Sequence, residues 1–287
     1  MQEFSNNDHR IFHGDALAVL KSDRIPDNSV NMIFADPPYN IGKNFNGFHD
    51  KWPSDQAYCS WVEEWLDLCL AKLAPNGSFY LMCSTQCFAP IDMMLRERMT
   101  ILSRIVWHYD SSGVQAKNYF GSLWEPIFHC VKDPKDYTFN SDDILVEAKT
   151  GAKRKLIDYR KSTPTLYNTK KVPGNAWYFP RVRYRMPEYE NHPSQKPVEL
   201  LERIVAASSN AGDTVLDPFA GTFSTGNAAA NLGRKSISIE LNEDYLKVGL
   251  RRLEIATEYK GEHLHRPLKS YEAGHSETSE TLTLFEP

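Results

Sequence analysis

The sequence predicts an α/β fold, a mostly parallel sheet with helices on both faces. Three observations predict it. Short apolar runs alternate with helical stretches before residue 133 and again after 190. Two of those runs end in Asp-Pro, at Asp36-Pro37 within FADPPYN and at Asp217-Pro218 within VLDPFAG. Between 133 and 190 the alternation stops, and prolines, aromatics and basic residues take over. A chain of 287 residues holds one large α/β domain with such an insertion.

The elements follow in order. Ile11–Asp15 reads as a short strand, 16–21 as a short helix and Pro26–Ser29 as a turn. Val30–Ala35 is an apolar strand that delivers Asp36 at its C-terminal tip. Pro37 and Pro38 have fixed φ and no N–H, so the chain behind Asp36 is rigid, with free carbonyls and a carboxylate beside the Tyr39 phenol. Residues 40–53 form a Gly- and Asn-rich loop, too long and polar for a plain connection and expected to move. Ser54 or Asp55 caps a helix to about Leu73, with Trp61, Trp65, Leu68 and Leu73 at helical spacing, and Pro75-Asn76-Gly77 ends it. Strands at 78–82, 103–109 and 127–131 and a helix at 88–98 complete this half. Beyond the insert come a helix at 197–209, a strand at 213–217, a loop at 218–223, a helix at 224–232, a strand at 235–239 and a helix at 242–259. The polar tail 261–287 is expected to be disordered.

Net charge is −4, but it is unevenly spread. From Lys149 to Arg185 eleven residues are Lys or Arg and only Asp158 is acidic, so the segment carries +10 and the remainder −14. Tyr159, Tyr167, Trp177, Tyr178, Phe179 and Tyr184 are interleaved. Basic residues suit phosphates and aromatics stack bases, so Lys153, Arg154, Lys155, Lys170, Lys171, Arg181, Arg183 and Arg185 are read as a nucleic-acid surface. A solvated charged face would carry acids too. No apolar stretch reaches membrane-span length, the first residues lack the pattern of a signal peptide, and a cytoplasmic location is the expectation. Five cysteines disfavour a fully paired disulfide framework. Cys83 and Cys87, in a C-x3-C spacing without a second pair, are poor zinc ligands, so no metal is expected.

The second Asp-Pro leads through Gly221 into a helix, a turn that lets a ligand approach the backbone. The next strand ends in Glu240, placed to bind ribose hydroxyls. No G-x-G-x-x-G and no P-loop lysine is present, so the pocket suits a nucleoside better than a pyrophosphate.

Taken in order, Asp36-Pro37-Pro38-Tyr39, the basic insert, His192-Pro193-Ser194-Gln195-Lys196-Pro197, Asp217-Pro218-Phe219-Ala220-Gly221 and Glu240 resemble the β-class S-adenosylmethionine-dependent DNA amino-methyltransferases. The resemblance covers about residues 9–258. It implies a Rossmann-like seven-stranded methyltransferase sheet with a catalytic half (1–132), a target-recognition insert (133–190) and a cofactor half (191–260). It implies S-adenosyl-L-methionine as cofactor and Asp36, Pro37, Pro38 and Tyr39 as catalytic residues. The cofactor would be held by Asp15, Asp36, His192, Ser194, Lys196, Asp217, Phe219, Ala220, Gly221, Glu240 and Asn242. Asp15 is equally suited to capping its helix. Duplex DNA would be the partner, its adenine flipped out of the stack, with Asn40, Lys43, Phe45 and Phe48 closing over it. WHYDSSGVQAKNY and NHPSQKP resemble the solitary enterobacterial adenine enzymes, associated with ATGCAT and with no partner nuclease. A homodimer is a family tendency. The chain departs from the F-x-G-x-G pattern at Phe223, where the family has glycine. Cytosine-N4 methylation is the nearest rival, although serine is then commoner at position 36. A glutamine or RNA-base methyltransferase, or an inactive DNA-binding regulator of the same fold, are the other readings.

Overall fold

The computed structural model describes residues 1–45, 47–110, 116–149, 155–160 and 162–256, and the backbone of three short strands beyond. In the first half, β1 (Gln2–Ser5), β2 (His9–His13), α1 (Ala16–Lys21) and β3 (Val30–Ala35) lead to a hairpin of β4 (Asn44–Phe45) and β5 (Phe48–His49). Next come α2 (Asp55–Lys72), β6 (Leu73–Met82), α3 (Phe88–Arg98), β7 (Thr100–His108) and β8 (Trp124–Val131). The insert contains a 3-10 turn at Ser141–Ile144 and β9 (Val146–Glu147), β10 (Ile157–Asp158), β11 (Thr165–Leu166), β12 (Lys170–Lys171) and β13 (Ala176–Tyr178). The chain then forms α4 (Val198–Ser208), β14 (Thr214–Asp217), α5 (Ser224–Asn231), β15 (Lys235–Glu240) and α6 (Glu243–Arg252). The terminal strands are β16 (Glu258–Lys260), β17 (His263–His265) and β18 (Thr281–Thr283), which pair with one another; the rest of the 261–287 tail lies outside the described residues.

Among the described residues nine strands form one sheet, in the order β1-β2-β15-β14-β3-β6-β8-β7-β13. The seven central strands are those legible in the sequence, and β1 and β13 add one at each edge. β1 and β8 run antiparallel to their neighbours and the other pairings are parallel. Thus β13, although it belongs to the insert, returns to the sheet beside β7.

Strand parity builds two cores. Ile33, Ala35, Phe79, Leu81 and Leu216 face α1, α2 and α3, and pack with Val62, Trp65, Leu66 and Leu95. The alternate residues Met32, Phe34, Tyr80, Met82 and Val215 face the other way, against Leu200, Leu201 and Ile204 of α4 and Ala228 and Ala229 of α5. That two-residue period fixes the register, because a slip of one would turn both sets out of their cores. The last helix is shorter than its periodicity predicts. It stops at Arg252 because Glu254 takes a left-handed φ of 53° and the Ile255 and Ala256 N–H groups fold back onto the Leu250 carbonyl.

From β3 the chain proceeds to β6, and from β14 to β15, which lies on the opposite side. The strand order therefore reverses between β3 and β14. A crevice at the carboxyl ends of such a pair is where open α/β sheets bind ligands. Asp217 is the last residue of β14, and Asp36 follows β3 directly.

Candidate active site

The crevice is a cavity of about 380 Å³. Its wall includes Asp36, Pro37, Pro38 and Tyr39 from the end of β3, and Asp217, Phe219, Ala220 and Gly221 from the end of β14. Asp15, His192, Ser194, Lys196, Glu240 and Asn242 also line it. The structure thus brings the two Asp-Pro turns and the 192–196 segment, up to 182 positions apart in the chain (Asp36 to Pro218), onto one space.

At the β3 end the side chains form a charged cluster. Lys196 Nζ lies 2.7 Å from Asp36 Oδ2 and 3.7 Å from Glu125 Oε2. The Tyr39 hydroxyl donates to Asp36 Oδ1 at 2.6 Å and reaches Glu125 Oε2 at 3.1 Å. Burial of Lys196 works against its charge, but the Asp36 and Glu125 carboxylates outweigh burial and hold the ammonium above its ordinary range. Burial, with the same two carboxylates, pushes the Tyr39 phenol well up, so it remains a hydrogen donor. The rigid turn spends its carbonyls selectively. Tyr58 donates to the Pro38 carbonyl at 2.9 Å and the Cys87 thiol to that of Tyr39 at 3.7 Å. Among the described residues the Pro37 carbonyl accepts no hydrogen bond, which leaves it and the Asp36 carboxylate as adjacent acceptors.

At the β14 end the carboxyls meet mainly backbone, although the Thr225 side chain also hydrogen-bonds Asp217. Asp217 accepts from the Phe219 N–H at 3.0 Å, and Glu240 from the Gly221 and Asn242 N–H groups, each at 2.7 Å. Burial pushes both carboxyls up to about 7. The Phe219 ring is wedged edge-on against Trp65 at 5.1 Å, giving a flat aromatic wall. Asp15 both lines the cavity and caps α1 through the Ala18 N–H, and Asn242 likewise caps α6 through the N–H groups of Asp244 and Tyr245. His192 is held neutral, its pKa lowered to about 3 by burial and by the Lys196 charge. Its Nδ1 accepts from the Ser194 N–H, and its ring sits against Tyr245.

Phe223 occupies the glycine position of the loop, and the backbone there keeps the conformation a glycine would take, φ 60° and ψ 31°. The ring is fully buried among Phe4, Ile11, Leu246 and Leu250. Gly249 of α6 makes the room: a Cβ on it would lie 2.5 Å from the Phe223 ring. The loop bends without the second glycine, and its hydrogen bond from Gly221 to Glu240 is intact.

The 40–53 loop is a hairpin hung on Asp50. That buried carboxylate accepts from the Tyr39 and Lys43 N–H groups, and Asn40 holds Trp52 and Asp55. Lys43, Phe45 and Phe48 line the cavity, whereas Asn40 is not part of its lining and instead ties the start of the hairpin to Trp52 and Asp55.

The basic residues divide. Arg181 stacks over the Tyr109 ring at 5.2 Å, close enough for its charge to act on Lys43 and Lys196. Arg183 pairs with Asp110 at 2.7 Å, and Arg185 lies over Tyr184. Lys170 and Lys171 are exposed on the separate β9–β12 hairpin, and Lys155 is exposed in another loop. Lys153 and Arg154 lie outside the described residues. Among the described residues no group of three or more His, Cys, Asp or Glu could hold a metal ion. Cys83 is buried near the charged cluster, and burial raises its thiol pKa well above normal.

Two site residues escape sequence reasoning. Glu125 is a lone acid at the start of the apolar strand WEPIFHCV, the same strand-end signal that marks Asp36 and Glu240. Asp50 carries no local signal.

The DNA methylase family matches residues 30–251. The chain belongs to that family. This DNA methylase is 55% identical over 284 residues to the DNA adenine methyltransferase YhdJ of Escherichia coli (strain K12), covering 99% of this chain and 95% of the relative. It is 32% identical to the type II methyltransferase M.HpaI of Haemophilus parainfluenzae, over 88% of this chain and 76% of the relative. In fold it is similar to the cytosine-N4-specific PvuII DNA methyltransferase, with a TM-score of 0.67, 17% identity and coverage of 88% and 89%. The methylase M1.HpyAVI, solved with S-adenosylmethionine (SAM), superposes with a TM-score of 0.56, 25% identity and coverage of 85% and 100%.

Proposed function

We propose that this DNA methylase transfers a methyl group from S-adenosyl-L-methionine to the N6 amine of adenine in duplex DNA, within a short palindrome such as ATGCAT. One observation carries the reading: Asp36 and the free Pro37 carbonyl open onto the same cavity as Glu240. The 55% identity to an enzyme named for adenine methylation supports the choice of base.

The cavity fits the cofactor by its donor set. Asp36, Asp217, Glu240, Asp15 and Asp50 outnumber Lys43 and Lys196, so the lining suits a cationic ligand. Each Glu240 oxygen accepts one backbone N–H and keeps a lone pair for a ribose hydroxyl. Phe219 offers a face for the adenine ring, and Asp15, His192, Ser194, Gly221 and Asn242 close the sides. Bound there, S-adenosylmethionine supplies a methyl group activated by its sulfonium.

The chain's own residues do the rest. The exocyclic amine of adenine is a poor nucleophile, because its lone pair is delocalised into the ring. Asp36 accepts one N–H and the Pro37 carbonyl the other, which favours a tetrahedral nitrogen with its lone pair free. The Asp36 charge then stabilises the amine as it becomes cationic. Tyr39 stacks on the base. Asp36 is only 16% exposed, too deep for a base still in the duplex, so the adenine is flipped out. Phe45 and Phe48 of the hairpin cover it. Lys153, Arg154, Lys155, Lys170, Lys171, Arg181, Arg183 and Arg185 contact phosphates. A homodimer would match the two-fold symmetry of a palindrome. Acting on DNA, the enzyme would work in the cytoplasm, and no partner nuclease is inferred.

The test is methylation of unmodified plasmid with labelled S-adenosylmethionine, nucleoside digestion and mass spectrometry. N6-methyladenine, mapped to ATGCAT, is the expected product. N4-methylcytosine would overturn the base, and no modified base, with cofactor bound, would overturn the activity.

A further inference from the structure

Glu125 has no part in the mechanism above, yet its carboxylate is built into the charged cluster. It is 86 residues from Tyr39 in sequence and enters from β8. Its Oε2 lies 3.1 Å from the Tyr39 hydroxyl and 3.7 Å from Lys196, and the Tyr109 hydroxyl donates to its Oε1 at 3.4 Å.

A phenol has one hydrogen to give. Two carboxylate oxygens compete for that of Tyr39, and Asp36 at 2.6 Å holds it over Glu125 at 3.1 Å. The other Asp36 oxygen is already on Lys196. Each oxygen of the residue that must receive the adenine amine therefore already carries one donor, with a lone pair left for the amine. Each donor draws negative charge from Asp36 and weakens its pull on the next.

We propose that Glu125 is a positioning residue, the alternative acceptor to which the Tyr39 hydrogen turns when the amine arrives, so that Asp36 accepts from the substrate with one competing donor fewer. The inference rests on the reading of Asp36 as acceptor of the amine hydrogen. The move needs only rotation of the hydroxyl about its C–O bond, with no proton transferred and no bond broken.

The experiment is single-turnover methylation of duplex DNA at saturating cofactor by the full chain and the variants Glu125→Ala, Glu125→Gln, Tyr39→Phe and Tyr39→Phe/Glu125→Ala. Glu125→Ala should slow transfer about 10- to 100-fold with the cofactor Kd within about twofold. Glu125→Gln keeps an acceptor oxygen but not the charge, and should fall between that variant and the wild type. With Tyr39→Phe there is no hydrogen to receive, so adding Glu125→Ala should cost less than about threefold more. A Glu125→Ala rate within about twofold of wild type would overturn the proposal, as would losses that multiply in full in the double variant. If Glu125→Ala fails to bind cofactor, the same cycle run with Glu125→Gln decides by the same criterion. Asp36→Ala at the wild-type rate would instead overturn the underlying reading of Asp36.

Discussion

The two Asp-Pro turns of this methylase use one backbone device with different partners. Each places a carboxyl at the tip of a parallel strand, on either side of the crevice between β3 and β14. Asp36 meets an ammonium at 2.7 Å and a phenol at 2.6 Å. Asp217 meets a backbone N–H and, by burial, is held near neutrality with a pKa of about 7. Burial raises the pKa of both carboxyls; Lys196 and the Tyr39 hydroxyl oppose that rise at Asp36, and the Thr225 side chain and the loop's own backbone oppose it at Asp217.

The sharpest way to break that comparison is to exchange the roles. Asp36→Ala should cut methyl transfer at least about 1,000-fold, because it removes both the amine acceptor and the charge. Cofactor affinity, which the proposed function assigns mainly to the other turn, should stay within about threefold. Equal losses in both, measured by single-turnover assay and by calorimetry, would show that the half-sites are not separable.

Next in size is a stability effect at the β14 turn. Gly249→Ala would drive a methyl into the Phe223 ring, and overpacking of this kind costs about 1–3 kcal/mol. Phe223→Gly relieves a left-handed backbone but empties a buried site; about 3–5 kcal/mol of lost packing exceeds about 1–3 kcal/mol of relieved strain. Both single variants should melt lower in denaturant titrations. The double variant should lose less than the sum, because the added methyl enters the space the ring vacates.

The titrating side gives a pH signature. Folded Asp217 and Glu240 have pKa values raised to about 7, above the ordinary carboxyl value of about 4. Between those values the folded state binds more protons than the unfolded state, so this contribution to stability is complete below about pH 4 and is lost as pH rises through about 7. Cofactor affinity should move the other way, rising to about pH 7 and then levelling, because ionised carboxylates accept hydroxyls and attract a cation best. Asp217→Asn and Glu240→Gln should each flatten part of both profiles.

How much of this was legible follows from distance in the chain. FADPPYN, VLDPFAG and Glu240 are local strings whose geometry is set by their own residues, and the structure puts all three on one cavity. The seven central strands could be read because each is an apolar run of its own. The edge strands β1 and β13 could not, since Gln2–Ser5 and Ala176–Tyr178 are polar or short and are strands only because a distant neighbour pairs with them. Glu125 and Asp50 were missed for the same reason: a carboxylate's role depends on which donors the fold brings to it. At Phe223 the residue departs from the pattern, but the backbone conformation does not, because Gly249 far along the chain absorbs the ring.

The smallest effect concerns the basic insert, and it separates two kinds of arginine. Arg183 spends part of its charge on Asp110, whereas Arg181 stacks on Tyr109 above the charged cluster and keeps its guanidinium edge for a phosphate. Neutralising Arg181 should lower DNA affinity and reduce the slope of log affinity against log salt by about 1. Neutralising Arg183 should change the slope less, because its guanidinium is already paired with Asp110 and neutralises less phosphate charge. Titrating duplex binding over a range of salt distinguishes them. Equal slopes for the two variants would mean that DNA displaces Asp110 from Arg183, and that the pair is a latch on the DNA-binding face and not a fixed part of it.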